Sequence, residues 1–293
     1  MGKPITRSHS RSIVEPSSTL QSAAAANTSL NPSSSSSSKI PYRPRKIRKL
    51  STTNKIIAAA AAAAATATTN SFPLSTVKPL SVKGEIDLAL EHLRKSDPLL
   101  STLIDTNKPP TFDSQSPPFL SLARSILYQQ LAPNAAKSIY TRFLTLCGGE
   151  AGVLPENVLS LSALQLREIG ISGRKASYLH DLADKFRNGS LSDSSILEMN
   201  DDTLLTSLTA VKGIGVWSVH MFMIFSLHRP DVLPVGDLGV RKGVQNLYGL
   251  KELPQPLQME QVCEKWRPYR SVGSWYMWRL METKALAKVT KKS

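Results

Sequence analysis

Leu204-Leu205-Thr206-Ser207-Leu208-Thr209-Ala210-Val211-Lys212-Gly213-Ile214-Gly215-Val216-Trp217-Ser218-Val219 reads as an apolar helix, a two-glycine turn and a second apolar helix. Glycines at 213 and 215 permit positive φ and let the backbone approach another surface closely. The amides after the turn open a helix N-terminus, where unpaired N–H groups and the helix dipole favour an anion without any basic side chain. Lys212, Gly213, Ile214 and Gly215 are therefore candidate phosphate contacts. An ordinary helix–turn–helix junction has the same pattern, and the segment alone leaves both readings open.

Helix periodicity extends outward from this hairpin. Ile86, Leu88, Leu90 and Leu93, then Leu120, Leu122, Ile126 and Leu127, recur at helical intervals. Breakers fall between such runs, at Asp97-Pro98, Pro117-Pro118, Pro133-Asn134, Gly148-Gly149, Gly170, Gly189 and Pro230. No stretch alternates as a strand would. The expectation is a mainly α fold of about eight to ten helices at the usual length of ~11 residues, occupying residues 81–293.

Residues 1–80 differ in kind. The Ser33–Ser38 and Ala58–Ala65 runs typify a segment too poor in bulky apolar side chains to offset its ordering entropy, so it reads as a disordered leader. It holds 11 of the chain's 36 basic residues and one of its 22 acidic ones, leaving 25 basic against 21 acidic in the rest. The formal charge of +14 therefore belongs mostly to the leader, and any nucleic-acid contact by the body must come from local placement of charge. Pro41-Tyr42-Arg43-Pro44-Arg45-Lys46-Ile47-Arg48-Lys49 has the density of a nuclear import signal or a phosphate-binding tail. The acid-poor, Ser-rich leader also fits an organellar transit peptide, so a nuclear address is expected, with plastid or mitochondrion as the alternative. Cys147 and Cys263 stand far apart without metal-ligand spacing, disfavouring a disulfide scaffold, a zinc site and an iron–sulfur cluster. No metal or cofactor is expected, and no uninterrupted apolar run reaches the ~18 residues of a membrane span.

Beyond the hairpin, Met221 to Leu227 runs into Arg229-Pro230-Asp231-Val232-Leu233-Pro234-Val235-Gly236-Asp237-Leu238-Gly239-Val240-Arg241. A hairpin, a Gly/Pro-rich loop and then an aspartate resemble the helix-hairpin-helix (HhH-GPD) DNA glycosylase superfamily. Phe119 to Phe143, containing Tyr128-Gln129-Gln130-Leu131, and Trp266-Arg267-Pro268-Tyr269-Arg270-Ser271 extend the resemblance over roughly residues 85 to 285, toward 3-methyladenine DNA glycosylases of the bacterial AlkA and yeast MAG type.

The resemblance implies two helical lobes around a base-binding cleft and hydrolysis of the N-glycosidic bond of alkylated purines in double-stranded DNA, by a monomer that leaves an abasic site. It assigns Asp237 as the catalytic carboxylate: positive charge develops on the sugar as the base leaves, and a fixed anion beside it lowers the barrier. Asp237 also suits a helix N-cap, and both roles can coexist. Bifunctional relatives carry a nucleophilic lysine where this chain has Trp217, so simple hydrolysis without strand cutting is expected. Trp278 falls at the position that stacks on the flipped base, Trp217 flanks the hairpin, Met221 stands where the family's second aromatic wall would be, and with Tyr128 these are the expected base-pocket residues. An electron-rich pocket suits the cationic base that N3 or N7 alkylation produces. Gln130 or Leu131 matches the wedge that fills the gap left by a flipped nucleotide. Arg174, Lys175 and Arg241 are candidate phosphate contacts, Asp231 a turn residue, and Trp266 and Trp275 core aromatics. Bacterial relatives place a small β domain ahead of the helices, and here a compact form without it is expected. A catalytically silent helix-hairpin-helix DNA-binding protein is the alternative; it would keep the hairpin glycines but have no need of Asp237 or an aromatic pocket.

Overall fold

Proline marks where five of the helices begin. Its fixed φ suits the first turn, where its missing N–H is not needed, and Pro98, Pro118, Pro133, Pro155 and Pro256 each open one. Ser162, Ser172, Ser192 and Asn200 cap four more by accepting a backbone N–H two or three residues into the helix. The computed structural model describes residues 77–112 and 116–290, with side chains as far as residue 283.

Thirteen α-helices form among these residues. The first two are α1 (Glu85–Ser96) and α2 (Pro98–Thr106). Eight follow: α3 (Pro118–Tyr128), α4 (Pro133–Leu146), α5 (Pro155–Ser160), α6 (Ala163–Glu168), α7 (Gly173–Arg187), α8 (Asp193–Glu198), α9 (Asp201–Thr209) and α10 (Val216–Phe225). The last three are α11 (Leu238–Leu247), α12 (Pro256–Val262) and α13 (Arg270–Thr290). The surplus over the expected eight to ten comes from α5, α6, α8 and α12, each of six or seven residues. Fewer than two turns give apolar periodicity too little length to register.

The packing resolves two lobes. In one, α7 lies against α3, α5 and α6, while α3 also meets α4, α8 and α10, and α9 packs on α10. In the other, α1, α2, α11 and α13 come together, so that the beginning and end of the folded body share a lobe. Close approach of α11 to α13 depends on Gly243, where a Cβ would lie 2.5 Å from that of Met277. Trp266 is wholly buried in this lobe, and Trp275 is half-buried with the Arg279 guanidinium 4.7 Å from its ring centre.

Asp97 ties the second lobe together. It is fully buried, caps α2 through Leu99 and Leu100, accepts the Trp266 indole N–H at 2.8 Å and the Tyr248 hydroxyl, and has Lys265 Nζ 3.4 Å away. Burial pushes its carboxyl up, but the Trp266, Tyr248, Lys265 and Leu100 interactions outweigh that and hold it below the usual range.

The segment joining the lobes is pinned at several points. Arg270, itself buried, grips both oxygens of Asp231 and reaches Glu260, while Arg267 bonds Asp231 at 2.6 Å. Ser271 Oγ donates to the Arg229 carbonyl and accepts the Val232 N–H. Asp231, expected as a plain turn residue, is thus the ionic anchor of the loop that leads to Asp237.

Leu80 corrects the expected boundary of the folded body. It is buried and donates its N–H to the His228 carbonyl at 2.8 Å. The remainder of the expected leader through residue 76, with the Pro41–Lys49 basic run, lies outside the described residues. No strand occurs among the described residues, and no helix there is long and apolar enough to cross a membrane.

Candidate active site

Val216-Trp217-Ser218-Val219-His220-Met221-Phe222-Met223-Ile224-Phe225 leaves almost no polar face on α10, yet the helix is buried on one side only, through Val219, Phe222, Met223 and Ile224. Val216, Trp217 and Phe225 are exposed, Trp217 by 53 %, and Met221 is half-buried. A helix apolar all round whose second face is open builds an apolar cleft wall.

Asp237 stands across from that wall as the N-cap of α11, with Oδ1 accepting the Val240 N–H at 2.8 Å. Its carboxylate also receives two indoles. Trp278 Nε1 donates to Oδ1 at 2.9 Å, and Trp217 Nε1 donates to Oδ2 at 2.7 Å. The expected N-cap role is thus met by a side chain only 9 % exposed and fixed by donors from three elements. Trp278 reaches it because residue 239 is glycine: a Cβ there would sit 2.8 Å from Trp278 Cδ1 and 3.1 Å from Asp237 Oδ1. Gly239 was not singled out from sequence, and the Asp237-Leu238-Gly239 spacing was its only trace.

Phe225 is the second residue that the sequence reading missed. Its ring lies 5.6 Å from that of Trp278, tilted by 34°. On its other side it helps line a cavity of about 460 Å³ with Tyr128, Met221, Arg124 and Tyr140. Tyr128 and Met221, both expected at the base pocket, thus meet in one cavity, whereas Asp237 and Trp278 adjoin it only through Phe225. The signal available was α10 itself, one turn beyond Met221 and apolar where it is not buried. Arg124 lies 5.4 Å and 5.5 Å from the ring centres of Tyr128 and Tyr140, an arrangement with no counterpart in the sequence reading.

At the hairpin, only Gly213 takes positive φ, at 80°, and a Cβ there would lie 2.1 Å from Tyr178. Gly215 is extended, φ −102°, with open space where a Cβ would go. The expectation that both glycines serve positive φ is corrected: Gly213 makes the turn, and Gly215 leaves the N-terminus of α10 uncovered. Ile214 is buried and its N–H donates to the Val211 carbonyl at 3.1 Å, so it offers no free donor.

The candidate cations divide. Arg174 is exposed on the first turn of α7. Lys212 is 68 % exposed but pairs with Asp181, Nζ to Oδ1 at 3.3 Å, while its N–H donates to Oδ2 at 2.9 Å. Lys175 turns inward and donates to the Leu127 and Gln129 carbonyls at 2.7 and 2.8 Å, and burial pulls its ammonium pKa below the ordinary value. Arg241 donates Nε to the Pro254 carbonyl at 2.9 Å. The last two serve the protein's own carbonyls, where the sequence reading had them reaching phosphates. Gln130 has φ 55° and is exposed beside exposed Leu131, so the expected wedge positions project from the turn between α3 and α4.

Residues 123–268 match the family described as HhH-GPD superfamily base excision DNA repair protein. The chain is 31 % identical over 210 residues to DNA-3-methyladenine glycosylase 1 of Schizosaccharomyces pombe, covering 71 % of this chain and 90 % of the relative. Its fold is similar to a crystal structure of DNA-3-methyladenine glycosidase from Bacillus halodurans, with TM-score 0.61 and 34 % identity over 67 % of this chain and 90 % of that one. It is also similar to a structure of S. pombe 3-methyladenine DNA glycosylase in complex with abasic DNA, with TM-score 0.57 and 30 % identity over 66 % of this chain and 95 % of that one.

Proposed function

The chain belongs to the HhH-GPD superfamily of base excision DNA repair proteins, and on that premise we propose that it hydrolyses the N-glycosidic bond of alkylated purines in double-stranded DNA, with Asp237 as the catalytic carboxylate. The observation that carries this reading is the Asp237 carboxylate held by two indole N–H groups at the edge of an apolar cleft.

As the bond to the base lengthens, positive charge grows on the sugar. A carboxylate already fixed in place stabilises that charge without reorganising, which is where such a group contributes most. The two indoles and the Val240 N–H hold its geometry, and one of its oxygens can orient or deprotonate the attacking water. Trp217 occupies the place of a lysine nucleophile and has no amine, so the product is an abasic site in an uncut strand. Extrusion is cheapest for a damaged, weakly paired base. Trp278 and Phe225 supply aromatic faces for it, with Met221 and Tyr128 behind them. The uncovered amides after Gly215, together with Arg174 and Lys212, grip the phosphates, and Gln130 or Leu131 fills the vacated stack. The enzyme acts as a monomer and carries a nuclear address in its basic leader, a point that a fluorescent fusion with and without residues 41–49 tests; plastid or mitochondrial signal would redirect it.

The deciding experiment measures base release from methylated duplex DNA by wild type and Asp237→Asn, with duplex binding in parallel. Release by wild type that is lost in Asp237→Asn while binding persists is the expected result. Binding without release by wild type would mean a silent DNA-binding module.

A further inference from the structure

Three side chains at three-residue steps on α7 carry the hairpin turn and the turn after α3. Lys175 donates to the Leu127 and Gln129 carbonyls at 2.7 and 2.8 Å, filling acceptors that the end of α3 would otherwise leave open. Tyr178 lies directly beneath Gly213. Asp181 accepts the Lys212 N–H at 2.9 Å. The two loops are also joined directly, because Gln129 Nε2 donates to the Gly213 carbonyl at 2.9 Å.

The turn after α3 depends on these bonds. Gln130 sits at φ 55°, a conformation that costs an L side chain about 1 kcal/mol or more and persists only where its surroundings impose it. An open cleft of about 200 Å³ runs along the turn, bordered by Leu127, Gln129, Gln130, Leu131 and Lys175. On that side the turn is not packed against other side chains across the cleft, and the hydrogen bonds that hold it there come from the Lys175 ammonium and the Gln129 amide.

We propose that Lys175 and Gln129 are positioning residues for base extrusion: they lock the wedge turn in register with the hairpin, so that gripping the phosphates and filling the stack occur at one fixed offset. The inference rests on the glycosylase reading above. It assigns neither residue to contact with the target base or to bond cleavage. A loosened register penalises the step that must break a base pair and leaves the bond-breaking step untouched. Displacements of about 1 Å in positioning elements can cost as much as ~100-fold in rate.

The test uses the full chain in single-turnover release of 7-methylguanine from two duplexes, one with the lesion paired to cytosine and one with it opposite an abasic sugar, where no pair has to be broken. Gln129→Leu removes the cross-loop donor, Lys175→Met the two carbonyl bonds, and Lys175→Arg keeps donors in place. Gln129→Leu and Lys175→Met are expected to lose about tenfold on the paired lesion and less than about twofold on the unpaired one, the scale of one or two hydrogen bonds. Lys175→Arg should recover most of the difference. Equal losses on both duplexes, or none on either, would overturn the proposal while an active wild type leaves the glycosylase reading standing. Wild type that releases no base from either duplex would remove both. Should Lys175→Met fail to fold, Gln129→Leu decides alone, because its half-exposed side chain leaves the lysine anchor intact.

Discussion

Replacing Asp97 tests whether one buried carboxylate holds the second lobe, and the structure fixes both the size and the pH signature of the effect. Asp97→Ala strands the Trp266 indole N–H and the Tyr248 hydroxyl and removes the cap of α2. Losing one partner of a buried, charge-assisted cluster costs about 3–5 kcal/mol. At ~2–4 °C per kcal/mol for a folded body of this size, that is a fall of roughly 6–20 °C in Tm. Asp97→Asn isolates the charge. The native carboxyl is held below its usual range, so its contribution is complete above the unfolded value of about 3.9 and disappears as pH falls through the lower folded value. The gap between wild type and Asp97→Asn in urea unfolding should be wide at neutral pH and close in acid. Base release at temperatures where the variants remain folded should change little, because Asp97 meets α11 at its Tyr248 end, ~15 Å along a ten-residue helix from Asp237. A loss under ~0.5 kcal/mol for Asp97→Ala, within the range of an ordinary surface change, or a gap that stays constant into acid, would refute the reasoning.

Three further perturbations address the cleft. Gly239→Ala suits a helix but collides with the Trp278 indole, so base release should fall at least about tenfold with Tm nearly unchanged; full activity would mean the Trp278–Asp237 bond is dispensable. Gly213→Ala meets both positive φ and the Tyr178 ring, so duplex affinity should drop, and adding Tyr178→Ala should recover only part of it; a silent Gly213→Ala would remove the hairpin from the DNA interface. Arg124 holds a positive charge at the cavity wall and stands over Tyr128 and Tyr140, opposing a cationic base. Arg124→Met should raise release of cationic 7-methylguanine relative to neutral hypoxanthine by about twofold to fivefold, the Coulomb scale for a partly screened charge across such a pocket. An unchanged ratio would show that Arg124 faces water and not the base.

What could be read from the sequence follows from how far each signal reaches. The long helices and the hairpin were legible because period and glycine spacing are local. Asp237 was legible because a cap and a loop composition surround it. Lys175 and Arg174 are adjacent in sequence and look alike, yet one turns in to two carbonyls and the other out to solvent, a difference decided at the end of α3, where the Gln129 carbonyl lies 46 residues before Lys175. Asp231 and Asp97 looked like turn chemistry; their partners, Arg270 and Trp266, lie 39 and 169 residues away. Gly239 needed the position of Trp278, 39 residues on, to acquire a reason. Phe225 is the instructive case, since α10 had no polar face to offer solvent and only an open apolar cleft accounts for that.

These placements also bear on how a weakly basic body can hold DNA. Of the four cations expected at phosphates, Lys175 and Arg241 are bonded to backbone carbonyls, and Lys212, though exposed, shares its charge with Asp181 at 3.3 Å. What the hairpin presents outward is an uncovered helix start at Gly215 beside the exposed Val216 and Trp217. A dipole end with free amides attracts a phosphate through fixed partial charges, which cost no side-chain ordering on binding. Exposed Leu238, next to Asp237, extends the apolar rim on the opposite lobe. Two helix N-termini thus lie side by side, joined by the Trp217–Asp237 bond: the first turn of α10 faces outward, and that of α11 is filled by a carboxylate.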